Sequence, residues 1–214
     1  MASATVRLIG GPTLVIEAGG LRLLTDPTFD QPGPFDVVLL SHDQHGDDLG
    51  LLERVPLVLT TSDAAQRLGG SARALPPWYH LSLPRFDGVA LRITGVPAQE
   101  GPNGTTHTGF VLSSVDTPAV YISGGNASLD VVQQVAQRCA PIGIAVLFVD
   151  GYLTLTSDQA ARAAAILASP TVIPAHVEGW DHYTECIDDV RAAFARHGLS
   201  DRLRVLAAGD TATI

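Results

Sequence analysis

The chain has 214 residues, 46% of them hydrophobic and 16% charged, with a formal net charge of −9. That length buries a substantial core, the composition excludes a disordered chain, and the negative charge disfavours nucleic acid or an anionic membrane as partner. No run approaches the ~18 apolar residues of a membrane span and the first residues lack the basic-then-apolar order of a signal peptide, so a cytoplasmic protein acting on a small molecule is expected, its oligomeric state left open. Cys139 and Cys186 lack CxxC spacing and read as free buried thiols in a reducing compartment.

Residues 5–25 hold three short β-type runs separated by Gly10-Gly11-Pro12 and Ala18-Gly19-Gly20, the pattern of an antiparallel meander. Asp26-Pro27 closes the third run, and a proline-rich loop leads to an aliphatic strand, Val37–Leu40. A short helix over Leu49–Arg54, a strand at Leu57–Thr60 and a helix ending at Leu68 before Gly69-Gly70 follow. Residues 78–83 and 88–95 form a hairpin around Asp87-Gly88. From Val96 a polar, glycine-rich loop is expected through His107, then strands at about 108–114 and 119–123. An amphipathic helix runs from Ser128 to about Arg138, with Val131, Val132, Val135 and Ala136 on one side. The strand Ile144–Val149 ends at Asp150, a helix covers 157–168, and a further strand ends at Ala175-His176. The last helix spans Thr184 to about Arg196, and Arg204–Leu206 reads as the final strand. Each half opens with strands and closes with strand–helix alternation, which reads as a weak duplication. Two sheets with helices outside are expected, in one domain over 1–214.

The sharpest chemical boundary lies where Val37–Leu40 runs into Ser41, His42, Asp43, Gln44, His45, Gly46, Asp47 and Asp48. Asp47 or Asp48 capping the following helix accounts for one aspartate and leaves both histidines unexplained. The stretch therefore reads as a metal-binding or catalytic loop. The polar positions 100–107, 123–126, 150 and 176–182 also follow strand ends, and such loops converge on one edge of layered α/β proteins.

Six stretches together resemble the metallo-β-lactamase fold hydrolases, in the branch of lactonase-like and uncharacterised metal-dependent enzymes. They are T-D-P at 25–27, S-H-D-Q-H-G-D-D-L at 41–49, P-A-Q-E-G-P at 97–102, T-G-F-V-L at 108–112, Y-I-S-G-G-N at 121–126 and I-P-A-H-V-E-G-W-D-H-Y-T-E at 173–185. The resemblance implies an α/β four-layer αβ/βα sandwich with a metal centre, commonly two zinc ions, at one edge. It implies His42 as the first ligand, His45 as the second (Gln44 if no residue is inserted), Asp47 as the acid and His176 as the last. At further ligand positions this chain carries Asp48, Glu100 and Gly125, the last in place of a bridging aspartate. His42, His45 and Glu100 then form a two-histidine, one-carboxylate set suited to Zn²⁺, Mn²⁺ or Fe²⁺. Asp47, Asp48 and His176 form a second, oxygen-rich set, and without a shared ligand one ion is expected rather than two.

The implied activity is hydrolysis of a small-molecule ester, lactone or related bond by a metal-activated water. Asp47 orients or deprotonates that water, and His182 stabilises or protonates the leaving group. The alternative is a metal-poor relative that binds a small ligand or catalyses a non-hydrolytic reaction. Asp26 is expected to support the first ligand loop through a hydrogen bond to a ligand histidine. Asp150 reads as a cap or lining residue in preference to a bridging acid, His107 as a loop histidine in preference to a displaced ligand, and Tyr183 as an aromatic anchor for the last helix. No G-x-S-x-G elbow is present to supply a serine nucleophile.

Overall fold

The computed structural model describes residues 3–28, 33–42, 49–85, 88–101, 105–139, 141–177 and 183–213. Strands β1 (Ala4–Gly10), β2 (Thr13–Ala18) and β3 (Leu21–Thr25) form the expected antiparallel meander. β4 (Val37–Leu39), β5 (Val58–Thr60) and β6 (Ala72–Ala74) then add in parallel, with α1 (Leu49–Arg54) and α2 (Ser62–Leu68) between them. In the second sheet β7 (His80–Pro84), β8 (Ala90–Glu100), β9 (Thr105–Ser113) and β10 (Ala119–Ile122) are antiparallel. β11 (Ile142–Phe148) and β12 (Thr171–Ala175) join them in parallel. Helices α3 (Leu129–Arg138) and α4 (Ser157–Leu167) connect these last strands, and α5 (Ile187–Arg196) follows. Both sheets pass from antiparallel to parallel along the chain, which is the repeat the sequence pattern implies.

The layering follows from strand periodicity. Successive side chains point to opposite faces, so Leu23, Val37 and Leu39 enter the core between the sheets while Leu24, Val38 and Leu40 pack with Leu51, Leu52 and Val55 near α1. On β11, Ile144, Val146 and Phe148 face the other sheet. Ala145, Leu147 and the following Val149 instead pack with Val132, Val135, Ala164 and Val190 of the helices. Strands covered on both faces are apolar throughout, and the result is the expected four-layer αβ/βα sandwich. Burying one Val, Leu or Ile contributes roughly 1.5–3 kcal/mol, against about 0–1 kcal/mol for a surface ion pair. Side chains at the sheet edges can therefore be exchanged without loss of the fold. Helix starts are fixed locally: Thr61 and Ser128 accept hydrogen bonds from the backbone N–H of Ala64 and Val131, and Thr156 forms a capping box with Gln159.

Several expectations are corrected. The stretch after Val96 is not a loop through His107. β8 runs to Glu100 and β9 starts at Thr105, with Ala98 opposite His107 and Glu100 opposite Thr105. The last strand is β13 (Thr211–Thr213), which pairs with β1 and extends the first sheet to the order β13-β1-β2-β3-β4-β5-β6. Near Arg204–Leu206 the structure has a 3₁₀ turn (Ser200–Arg202) and one bridge between Val172 and Leu203. β6 was not expected, because three residues around Arg73 are too few to show alternation. Cys139 is only partly buried, and Cys186 is exposed, its thiol donating to Asp189 Oδ2 at 2.9 Å. Among the described residues no helix is long and apolar enough to cross a membrane.

Candidate metal centre

The ends of β3, β4, β8, β11 and β12 meet at one edge of the sandwich. Pro12, Asp26, Ser41, His42, Glu100, Gly125, Phe148, Thr154 and His176 line a common cavity there. Two backbone hydrogen bonds tie the sheets together beside it, Thr108 N–H to Ser41 O (3.1 Å) and His176 N–H to Gly11 O (3.0 Å). The ligand loop begins under restraint. Asp26 lies beside β4 through its N–H to Leu39 O (3.0 Å), and its Oδ1 accepts the Ser41 N–H at 2.6 Å. Asp26 thus supports the first ligand loop through the backbone of Ser41, the residue before His42, where a hydrogen bond to a ligand histidine was expected.

Among the described residues, three side chains are grouped so that they could hold a metal ion. His42 and His107 stack with ring centroids 4.0 Å apart and planes 14° from parallel, and His107 Nε2 lies 3.2 Å from Glu100 Oε2. Ligand atoms of His42, Glu100 and His107 all fall within 4.8 Å of one another. His107 is 1% exposed, and among the described residues neither ring nitrogen makes a hydrogen bond, Nε2 having only the ion-pair contact with Glu100. Leaving a buried polar atom unsatisfied costs about 1–3 kcal/mol; a cation supplies a partner for one of the two. Two imidazoles and a carboxylate are a donor set that divalent Zn²⁺, Mn²⁺ or Fe²⁺ accepts. The residues fit a metal ion.

His42 and Glu100 thus stand together as the sequence pattern implies, joined by His107 where a loop residue was expected. The missed signal was hairpin chemistry. Gly101-Pro-Asn-Gly104 between two alternating runs marks a turn, a four-residue turn pairs position 100 with 105, and period two then puts 107 on the face of 100. His45, Asp47, Asp48 and His182 lie outside the described residues.

His176 lines the same cavity with a different partner. Its Nδ1 is 3.4 Å from Asp150 Oδ2, its ring stacks on Phe148 (5.4 Å, 27°) and Tyr183 tilts against it (4.7 Å, 55°). It holds a left-handed backbone, φ 58°. Asp150 Oδ1 accepts the N–H groups of Tyr152, Leu153 and Thr154 at 2.7, 2.7 and 2.9 Å. Burial pushes this carboxyl up, but His176 and the three N–H groups outweigh it and hold it at about 2. Asp150 is therefore a turn cap and the support of His176. Burial, with the Asp150 charge, pushes the Tyr183 phenol well up, and its ring packs against His176, where an anchor for the last helix was expected.

Asp26 behaves in the opposite sense. Burial raises its carboxyl from 3.8 to about 6, against the lowering effect of Ser41 and His107. An acid raised on folding contributes stability below its unfolded value that is lost as pH rises through its folded value, here between about 4 and 6. Asp26→Asn keeps the acceptor for Ser41 and removes the charge. In metal-free protein the variant is expected to exceed wild type at pH 8 by about 1–3 kcal/mol and to show no such gain at pH 4. Urea midpoints at both pH values measure this; an equal gain at both would rule out the charge as cause.

The profile described as a beta-lactamase superfamily domain matches residues 5–176. The "UPF0173 metal-dependent hydrolase" of Methanoculleus marisnigri is 26% identical over 207 residues, which cover 91% of this chain and 90% of that one. Its namesake in Nitratidesulfovibrio vulgaris is 24% identical over 231 residues, covering 96% and 93%. Igni18, a metallo hydrolase from Ignicoccus hospitalis, matches at a TM-score of 0.80 and 19% identity over 100% of this chain and 99% of its own. The isothiocyanate hydrolase from Delia radicum gut bacteria matches at 0.78 and 21%, covering 97% and 98%. At these identities the solved structures speak for the fold. With the profile spanning both sheets and the ligand positions gathered at one edge, this chain belongs to the beta-lactamase superfamily and has the metallo-β-lactamase fold.

Proposed function

We propose that this protein is a hydrolase of small-molecule esters or lactones that uses one divalent ion held by His42, Glu100 and His107. The observation that carries the reading is the triad itself, with ligand atoms within 4.8 Å and a buried imidazole that makes no hydrogen bond among the described residues. Relatives named metal-dependent hydrolases support the same class. When bound, such an ion polarises a carbonyl and makes water acidic enough to attack near neutral pH.

The chain's own residues set the rest. Glu100 supplies the single negative charge of the triad, so ion and triad together would keep a positive charge, which favours a carbonyl oxygen over a cationic group beside the ion. Asp150 holds His176 at Nδ1, which leaves proton exchange with substrate to Nε2. In this reading His176, its ring packed on Phe148, gives a proton to the leaving oxygen. Asp47 keeps the water-orienting role that the resemblance implies, and His182 that of stabilising the leaving group.

Elemental analysis of protein purified without chelators, paired with a panel of aryl esters and lactones, tests the reading. About one ion per chain and turnover that a chelator abolishes and added Zn²⁺ or Mn²⁺ restores are expected. Less than ~0.2 ion per chain with no rescue would overturn it. One ion with oxygen consumption by iron-loaded protein and no hydrolysis would keep the site and change the chemistry.

A further inference from the structure

The position that most constrains the metal centre is one with no side chain. Gly125 faces the Nδ1 edge of the His107 ring. A Cβ there would overlap His107 Nδ1 and lie 3.0 Å from Cε1 and 3.3 Å from Cγ. The neighbouring Gly124 has another reason to be glycine, a left-handed φ of 56°. Gly125 has no such backbone demand, since it is absent from the positive-φ residues. What excludes a side chain at 125 is the imidazole.

That imidazole has nowhere else to go. Its ring is stacked on His42 at 4.0 Å, its Nε2 faces Glu100 at 3.2 Å, and it is 1% exposed in a packed hairpin. A methyl group pushing on the remaining side must displace the ring against the other two donors, because packed interiors give little. We propose that Gly125 and His107 are a coupled pair: the glycine vacates the space in which His107 serves as a ligand, and this exchange commits the centre to a single ion. A neutral imidazole offers one lone pair to one ion, whereas a carboxylate from position 125 could offer two oxygens to two. The two positions lie on different strand ends, and a side chain at 125 requires a smaller residue at 107.

The inference rests on the metal reading above, and its test keeps the two apart. Co²⁺ binding is titrated calorimetrically and by visible absorption in wild type, Gly125→Ala, His107→Ala, the double variant His107→Ala/Gly125→Ala, and His107→Ala/Gly125→Asp. Metal-free urea midpoints are measured on the same set. Wild type is expected to take one Co²⁺. Gly125→Ala alone is expected to weaken binding about 10–100-fold, the range for disturbing a ligand's support. On the His107→Ala background the same change should alter binding by less than about threefold, because coupled contacts are not additive. Gly125→Asp should regain at least about tenfold of the affinity that His107→Ala loses, a carboxylate taking the imidazole's place.

If Gly125→Ala fails to fold, recovery of a cooperative transition in the double variant still supports the coupling, and failure to recover overturns it. Additive effects, or wild-type affinity in Gly125→Ala, also overturn it while leaving the metal reading intact. Two tightly held Co²⁺ in wild type would overturn the single-ion commitment, and no Co²⁺ at all would remove the metal reading first.

Discussion

Asp150→Ala is expected to lower stability by about 3–5 kcal/mol, the range for removing one partner of a buried charge pair. The side chain is fully buried, and alanine takes away several contacts at once. Three N–H groups of the turn, those of Tyr152, Leu153 and Thr154, lose their common acceptor, and His176 Nδ1 loses the carboxylate at 3.4 Å. Asparagine separates the contributions. It keeps an Oδ1 for the turn and loses only the charge, so Asp150→Asn should cost about 1–2 kcal/mol, near the loss of one charge-assisted hydrogen bond.

The pH dependence gives an independent check. Burial alone would raise this acid, but His176 and the turn N–H groups bring it from 3.8 down to about 2. A depressed acid contributes stability that is full above its unfolded value and is lost as pH falls through its folded value. Wild type should therefore lose about 2 kcal/mol between pH 4 and pH 2 that Asp150→Asn does not lose. Urea unfolding at pH 7, 4 and 2 reads both effects. An alanine variant within about 1 kcal/mol of wild type would show that water replaces the carboxylate at no cost. With folded Asp150→Asn in hand, a fall in kcat with little change in KM would assign the pair to proton handling in the substrate complex.

Glu100→Ala is expected to abolish metal retention, with affinity falling by at least about 100-fold, since loss of a partner that only supports a ligand already costs 10–100-fold. Glu100 is the one anionic donor of the triad. Without it two neutral imidazoles face a divalent cation in a largely buried site, and the Coulomb attraction that offsets the ion's desolvation is gone. Glu100→Gln, similar in shape but neutral, should fall nearly as far. Glu100→His should fall less, because imidazole is a genuine metal ligand.

Thermal stability with and without metal gives a readout free of any substrate. Zn²⁺ at 100 times its dissociation constant stabilises wild type by about 2.7 kcal/mol, and the same concentration should leave Glu100→Ala unmoved. Hydrolysis should fall in parallel with ion content. Glu100→Ala that still purifies with one ion per chain would move the centre elsewhere in the molecule.

Much of the fold is written locally. Alternating apolar residues, glycine turns and capping threonines specify the meander, the helices and the doubly buried strands such as β11, because those signals act over a few residues. They also place polar loops after strand ends, which is enough to bring His42 and Glu100 into view. The pairings that give the centre its character needed the tertiary structure. His107 joins Glu100 only through the register of β8 and β9, one residue of slip from facing the opposite side. Gly125 reads as a missing ligand in the sequence, and only packing shows that His107 fills its space. Asp150 and His176 meet because β11 and β12 are parallel neighbours. Periodicity tells which face a residue takes; which partner it finds there is decided by strand register and by how the two sheets close.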